Sequence, residues 1–290
     1  MQINPGLSKL SSLSKVRQRE VVLPTAKITV VTRPLLVGDD IAIRSSIVSP
    51  DTYDSNICQL LYNHTEFPNN SKPDYQTFVD SITIADKQML IWGILASTYR
   101  EIKDEKVVCN KCKEENIVTI PYDDLIHDDS ITIWTEPAPP KEYIRTCTIN
   151  IGTEDIDRLE VDLGYLPISY RLAILSMISI EKIRENFNTL GTILSLPEQL
   201  ASITKEIRII SPDNEISRIN NIQELHIAYK NFLTYDIMEL IQKEYSYFDK
   251  YNPRFYTHIQ CPKCGNMILY EADMEVSLFR NYFHGLGFRE

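Results

Sequence analysis

The sequence predicts an α+β fold with a β-rich N-terminal part, a largely helical middle and a zinc ribbon formed by two distant CxxC knuckles. Residues 21–36 alternate β-branched side chains between two faces, with prolines near the ends, which is typical of paired strands. Residues 74–100 carry a broad apolar face at helical spacing. Each CxxC pair, at 109–112 and 261–264, lies between short runs with strand character.

The composition is that of a folded chain whose main task is not the neutralisation of phosphates. The chain has 290 residues, of which 43% are hydrophobic, and a formal net charge of −10. This length suits one large domain or two smaller ones, and the acidic balance disfavours nucleic acid as the main partner. The longest stretch without polar side chains, 89–96, is far too short to span a membrane. We therefore expect a soluble protein made in a cytosol.

Signatures of the common enzyme classes are missing from the sequence. With only 9 glycines, the chain has neither a GxGxxG nor a GxxxxGK[ST] phosphate-binding loop. The HExxH and GxSxG motifs of metalloproteases and hydrolases are also absent. Acidic pairs at 39–40, 123–124 and 128–129 lie beside turn signals, where aspartate caps helices and solvates loops. We expect a protein that is not an enzyme.

The chain is expected to divide into an arm and two halves. Residues 1–20 mix Ser, Lys and Arg with isolated leucines, and suit either a flexible arm that forms a helix on a partner or an ordinary frayed terminus. The leucines of this arm are spaced by three residues: Leu7, Leu10 and Leu13. Residues 21–140 are predicted to form an α+β half, and residues 141–290 a mainly helical half. The proline-rich residues 134–141 mark the boundary between them.

Local patterns predict the elements of the first half. Residues 21–36 predict a β-hairpin. Asp39 is a candidate N-cap for a helix over 41–47, and residues 54–62 predict another short helix. The apolar face of residues 74–100 predicts a helical region packed in the core.

The second half is predicted to begin with strands and to continue mainly as helix. Residues 143–151 and 159–163 have strand character. Helices are predicted over 168–188, 197–209 and 221–247. A β pattern then returns over 255–276, around the second cysteine pair.

Four of the six cysteines have the spacing of metal ligands. In a CxxC turn both thiolates can face one point about 2.3 Å from each sulfur, while backbone N–H groups point at them. Gly265 directly follows the second pair, and glycine adopts the positive φ that such a turn requires. Although 148 residues separate the two pairs, distance along the chain does not forbid a shared site. We predict one structural Zn²⁺, closed to substrates, with four thiolate ligands: Cys109, Cys112, Cys261 and Cys264.

Other interpretations of these cysteines compete with the zinc site. A redox CxxC normally begins a helix, whose N-terminus lowers the thiol pKa, whereas both pairs here run into strand-patterned residues. Disulfides would require an oxidising compartment, and nothing in the sequence suggests secretion. His258 lies three residues before Cys261 and could replace a thiolate, although four cysteines are already present.

Several segments, taken together, resemble a viral protein family. These are the opening LPTAKITVVTRPLLVGDD, the segment TIADKQMLIWGILASTYREI before a CxxC knuckle, and a late CPKCG followed by an acidic and aromatic tail. In this order the chain resembles the baseplate hub assembly proteins of T-even-like contractile-tailed bacteriophages, over most of residues 21–125 and 225–283. The resemblance implies a structural or assembly protein that acts without catalysis, with other baseplate or tail proteins as partners. It also implies a location in the virion, or in the host cytoplasm during assembly.

A zinc-ribbon accessory factor for nucleic acid is the main alternative function. Ribbons often serve transcription or replication, and Lys111 and Lys263 lie within the two knuckles. The net charge of −10 and the acidic Glu114 and Glu115 argue against a basic groove. A metal-dependent enzyme comes third, because it would need an open coordination position that four cysteines deny.

Overall fold

The computed structural model describes residues 17–36, 38–39, 53–68, 71–125, 143–183, 185 and 194–278. These residues form helices and antiparallel sheets, which confirms the predicted α+β class. Three predictions lie outside the described residues: the leucines of the arm, the helix over 41–47 and the proline-rich boundary at 134–141.

An antiparallel hairpin begins the described chain, as its sequence predicts. β1 (Arg19–Leu23) pairs with β2 (Ile28–Thr32), and the short β3 (Thr65–Glu66) adds a third strand beside β2. The short helix predicted after the hairpin is also confirmed, as α1 (Tyr53–His64), and it leads directly into β3.

The apolar region predicted to be helical forms two helices. α2 (Tyr75–Ser81) begins at Asp74, whose side chain caps the first turn. α3 (Ile84–Thr98) begins at Thr83, which forms a reciprocal capping box with Asp86. The extended backbone of Thr83 separates the two helices, because this conformation cannot continue a helix.

Helix α3 lies at the centre of the first apolar core. It packs so closely on the hairpin at Gly93 that a Cβ there would lie 2.4 Å from Val21 Cγ2 and 2.8 Å from Thr32 Oγ1. Trp92 is buried and donates its Nε1–H to the backbone carbonyl of Tyr122 at 3.2 Å. This aromatic residue therefore serves packing in the core.

The second half combines an antiparallel sheet, in the order β6-β7-β8-β9, with several helices. Its strands are β6 (Ile144–Asn150), β7 (Arg158–Gly164), β8 (Thr204–Ile210) and β9 (Ile216–Ile219). Its helices are α4 (Ile168–Ser176), α5 (Leu196–Ile203), α6 (Ile222–Asn231) and α7 (Tyr235–Tyr245).

The described residues of this half therefore combine helices with strands, and β8 and β9 interrupt the stretch that was predicted to be helical. The predicted helix over 197–209 ends before Thr204, because the sequence TKEIRII alternates in polarity and pairs with β7 as a strand. The helix predicted over 168–188 is interrupted, because α4 ends at Ser176 and helical backbone resumes at 180–183 and 185. The helix predicted over 221–247 is divided into α6 and α7.

The sheet of the second half has one apolar face and one charged face. Helices α4 to α7 pack on the apolar face, around buried residues such as Val161 and Ile207, and form the second core with it. On the other face Arg208 binds two carboxylates of the neighbouring strand, Glu160 at 3.0 Å and Asp162 at 2.7 Å. Along each strand, side chains therefore alternate between the apolar face, which the helices cover, and the charged face.

A buried group of charges links segments that are distant in sequence. Lys87 on α3 lies 2.9 Å from Asp54 on α1 and 3.0 Å from Glu275, and Arg171 on α4 lies 2.8 Å from Asp54. Burial opposes the charge of Asp54, but Lys87 and Arg171 hold the pKa of its carboxyl well below the usual range. Burial likewise opposes the charge of Lys87, yet the two carboxylates raise the pKa of its ammonium.

Candidate metal centre

Each CxxC pair occupies the turn of a β-hairpin. The first hairpin joins β4 (Glu101–Val108) to β5 (Glu115–Pro121). The second joins β10 (Phe255–Gln260) to β11 (Met267–Ala272). The strand character predicted around both cysteine pairs is thus confirmed, and each pair is held by two antiparallel strands.

The two turns share the same backbone hydrogen bonds. The first cysteine of each pair donates its N–H to a carbonyl five residues later, which closes the turn between the strands. This hydrogen bond joins Cys109 to Glu114 and Cys261 to Asn266, at 2.8 Å in both turns. The two turns are therefore structurally equivalent, although their sequences differ.

A residue with left-handed backbone conformation completes each turn. Lys113 has a φ of 61° and Gly265 a φ of 70°. Each donates its N–H to the carbonyl of the first cysteine in its own turn, at 2.9 Å. The role of Gly265 was predicted from the sequence, whereas the same conformation at Lys113 was not, because lysine has no preference for it.

The two turns face each other and bring four sulfur atoms together. The Sγ atoms of Cys109 and Cys264 lie 3.7 Å apart, and those of Cys112 and Cys261 lie 3.6 Å apart. All four Sγ atoms lie within 4.8 Å of one another. A tetrahedral ion with bonds of about 2.3 Å to sulfur would separate its ligands by about 3.8 Å, so the arrangement matches a four-thiolate site.

The turns place backbone N–H groups at the sulfurs. The N–H groups of Cys112 and Lys111 lower the pKa of the Cys109 thiol to about 6. Burial opposes charge on Cys261, but the N–H groups of its own turn outweigh it and lower the pKa of that thiol as well. At Cys112 the N–H of Glu114 favours the thiolate, whereas burial and the three other cysteines raise its pKa to about 12. Four thiolates can therefore coexist here only around a cation.

Polar contacts between the turns support the cluster. Lys263 of the second turn lies 2.6 Å from Glu114 of the first. Asn266 donates a hydrogen bond from Nδ2 to Asn110 Oδ1 at 2.8 Å, and the same nitrogen lies 3.8 Å from Cys109 Sγ. These contacts fix the position of one hairpin relative to the other and surround the sulfurs with donors.

A buried asparagine and an apolar layer enclose the cluster from the strand side. Asn116 donates to the carbonyls of Val107 and Glu114, both at 3.1 Å, and its Oδ1 lies 3.9 Å from Cys261 Sγ. Val107 and Ile268 are buried and pack against the cysteines. Sequence reasoning missed Asn116, because neither its position nor its spacing follows a recognisable motif.

The structure brings together all four predicted ligands and leaves the other candidates apart. Within the described residues, no further His, Cys, Asp or Glu belongs to the group. His258 lies on β10, where it pairs with Leu269 and faces the ring of Tyr256. Cys58 is buried in the first core, and Cys147 belongs to the second.

Comparisons with protein families, with curated proteins and with solved structures give no match to this chain. None of the described helices is long and apolar enough to cross a membrane. The cysteine cluster is therefore the main structural indication of function.

Proposed function

We propose that the four cysteines bind one structural Zn²⁺ and that the two hairpins together form a zinc ribbon. The observation that carries this proposal is the convergence of four sulfurs within 4.8 Å, contributed by two equivalent turns. Thiolates are soft ligands, and a tetrahedral set of four is typical of structural zinc or of iron. A closed set of four leaves no position for water or substrate, so the site stabilises the fold without taking part in catalysis.

The ion acts as a clasp between the two halves of the chain. It joins the hairpin at 101–121 to the hairpin at 255–272, and 148 residues lie between the two cysteine pairs. Closing so long a loop removes conformational entropy from the unfolded chain. Structural zinc sites contribute on the order of 10 kcal/mol of apparent binding free energy, so the metal is a large part of the stability of this fold.

Metal analysis of the purified full chain tests the site directly. We expect one zinc per chain and a colourless protein, because Zn²⁺ has no partly filled d shell. If one iron per chain is found instead, the four cysteine ligands would be supported, but the assignment of the metal as zinc would be wrong. Four freely titrating thiols at these positions in the native protein, with no bound metal, would rule out the site.

We propose further that the protein is a component or assembly factor of a phage tail baseplate hub and is not an enzyme. The resemblance stated above supports this role. The segments that carry the resemblance also lie together in space. The β1–β2 hairpin, α3 and the C-terminal residues Phe255, Ala272 and Met274 share the first core. The second core contains most of the segment 166–221, which the resemblance does not include, together with residues of α6 and α7, which it does.

One contact weighs against the nucleic-acid alternative. Lys263, one of the two lysines within the knuckles, is held at 2.6 Å by Glu114, so its charge is already balanced. The net charge of −10 points the same way, because phosphate binding requires unbalanced positive charge. Binding to labelled DNA that weakens with added salt would favour this alternative.

Co-expression with the neighbouring genes of the source genome tests the baseplate proposal. We expect a phage structural protein to co-purify with this chain and to protect Lys9, Lys15, Arg17 and Arg19 from protease. Equal cleavage at these sites in the free and co-expressed protein, or the lack of a co-purifying structural protein, would contradict the proposal.

A further inference from the structure

The apolar face of the second sheet is left uncovered at one end. There it forms a groove with a volume of about 330 Å³, lined by apolar side chains alone. Leu159 and Ile207 form its floor, while Ile156 and Ile237 form two of its walls.

Phe232 stands at the mouth of this groove. It lies directly after α6 and is 76% exposed, although it lines an apolar surface. A phenylalanine buries about 150–250 Å² when it is covered, and exposed aromatic residues beside an apolar pocket are typical of protein interfaces. The groove and Phe232 therefore have the composition of a docking site.

The segments next to the groove are mainly acidic, although Lys230 near the end of α6 is basic. The turn between β6 and β7 carries Glu154 and Asp155, the turn between β8 and β9 carries Asp213 and Glu215, and Asp236 begins α7. Neither of the two turns contains Lys or Arg. A partner that places apolar side chains in this groove should therefore carry positive charge beside them.

One segment of the chain itself has this composition. Residues 1–16 contain Lys9 and Lys15 but no Asp or Glu. They also contain three leucines at every third position, which matches an apolar stripe: Leu7, Leu10 and Leu13. The segment is thus complementary to the groove both in apolar character and in charge.

The fold favours docking between two copies over docking within one chain. Arg17 donates a hydrogen bond to the carbonyl of Thr98, at the C-terminal end of α3. The second core reaches α3 at Ala85, near its other end, and these two residues are about 20 Å apart along a helix of 1.5 Å rise per residue. The groove lies farther still, at the Leu159 end of β7, whereas Ile84 of α3 lies beside Gly164 at the opposite end of that strand. Leu13 lies four residues before Arg17 and can extend at most about 14 Å from it, so docking that uses all three leucines cannot form within one chain, although Leu7 by itself can extend farther.

We propose that residues 1–16 of one copy bind in the groove of a second copy, with the leucines against the Ile-rich walls and the lysines beside the acidic segments. The contact is head-to-tail, because the arm and the groove are different surfaces. This inference does not depend on the metal. It competes with the baseplate proposal for the same arm, because self-association would protect Lys9 and Lys15 from protease in the free chain as well. The experiment below therefore tests whether the arm binds a second copy of this chain.

Two complementary variants of the full chain test the contact. Leu10→Asp damages the arm and leaves the groove intact, whereas Phe232→Asp damages the groove and leaves the arm intact. Phe232 is mostly exposed, so its substitution should leave the fold unchanged. In analytical ultracentrifugation we expect the wild-type chain to self-associate. Each variant alone should self-associate with an affinity at least about tenfold lower.

Mixing the two variants gives the decisive result. The intact groove of Leu10→Asp should accept the intact arm of Phe232→Asp, so that an equimolar mixture forms a 1:1 complex. Val22→Asp, a change at an exposed apolar residue far from the groove, should associate like the wild type. A wild-type chain that stays monomeric, association that survives both substitutions, or a mixture that stays monomeric would each overturn the proposal.

Discussion

Lys113 and Gly265 hold equivalent positions in the two cysteine turns, with φ of 61° and 70° and N–H hydrogen bonds of 2.9 Å to the first cysteine of each turn. Glycine adopts this conformation without steric cost, whereas a residue with a Cβ loses about 1–2 kcal/mol there. The two cysteine turns have the same geometry, but only the second has glycine at the left-handed position.

Placing glycine at position 113 and alanine at position 265 should change the stability of the protein in opposite directions. We expect Lys113→Gly to be neutral or to stabilise the zinc-bound protein by up to about 1 kcal/mol, and Gly265→Ala to destabilise it by about 1–2 kcal/mol. A Cβ at position 265 would meet only Gln260 Nε2, at 3.9 Å, so the cost comes from the backbone. Thermal unfolding of the two variants measures both effects.

Gly152→Ala is the matched control for Gly265→Ala. Gly152 also has a positive φ, of 66°, and a Cβ there would have nothing within 4 Å. It should therefore lose similar stability, while its zinc affinity against a competing chelator stays unchanged. Equal zinc affinities for Gly265→Ala and the wild type would show that the left-handed residue does not support the metal turn.

Removal of one ligand should destabilise the whole fold. Cys109→Ser or Cys264→Ser leaves three thiolates, and we expect loss of bound zinc together with aggregation or loss of soluble protein. Elemental analysis and the yield of soluble protein measure this. Cys147→Ala serves as the control, since it changes a cysteine of the second core and should retain one zinc per chain. A soluble Cys109→Ser protein with an unchanged melting temperature would show that the cysteines are incidental.

The sequence predicted those elements whose signal is local. The β1–β2 hairpin and α1 follow from β-branched alternation and helical spacing within a few residues. It failed at 197–209, where apolar residues fit both a helix and a strand. Only pairing with β7, more than forty residues earlier, decides for β8.

The metal ligands could be predicted because their chemistry is fixed by residue type and spacing. CxxC places two sulfurs in one turn wherever that turn occurs, and two such turns suffice for four ligands. The contacts around them could not be predicted in the same way. The two hairpins are far apart in sequence and are joined by contacts of Asn116, Asn266 and the pair of Lys263 with Glu114. No sequence motif indicates which residues of the two hairpins contact each other.

Gly93→Ala should destabilise the first core although alanine is the better helix former. The substitution gains about 1 kcal/mol of helix propensity. The added Cβ would nevertheless lie 2.4 Å from Val21 Cγ2 and 2.8 Å from Thr32 Oγ1, so α3 must move away from the hairpin. Overpacking of this kind costs about 1–3 kcal/mol, and we expect a net loss in denaturant unfolding. Gly38→Ala is the control, since a Cβ there would meet nothing within 4 Å, and it should leave the stability unchanged. A Gly93→Ala protein that is at least as stable as the wild type would contradict the close contact between α3 and the hairpin.

The buried pair of Lys87 and Asp54 should behave as a unit. Lys87→Met keeps most of the side-chain length but leaves the buried Asp54 carboxylate with Arg171 as its ion-pair partner, so we expect a loss of up to about 3–5 kcal/mol. Adding Asp54→Leu removes the buried carboxylate, and the side chain of Arg171 is 28% exposed and can be solvated, so the double variant should be more stable than Lys87→Met alone. Additive losses in chemical denaturation would show that the two charges act independently.

The same pair predicts how stability changes in acid. The pKa of Asp54 is held below its ordinary value of 3.8, so this carboxylate stabilises the fold above that value and loses its contribution as the pH falls below it. In Lys87→Met the main charge that lowers this pKa is gone, so Asp54 should take up its proton at a higher pH than in the wild type. We expect Lys87→Met to lose its Asp54-dependent stability at a higher pH than the wild type does. Below the pH at which Asp54 is protonated, the difference in stability between Lys87→Met and the double variant should no longer change with pH. The cysteine cluster is the same in all three proteins, so these differences isolate the buried group of charges. An acid transition that is the same in Lys87→Met and the wild type would mean that Lys87 does not set the charge of Asp54.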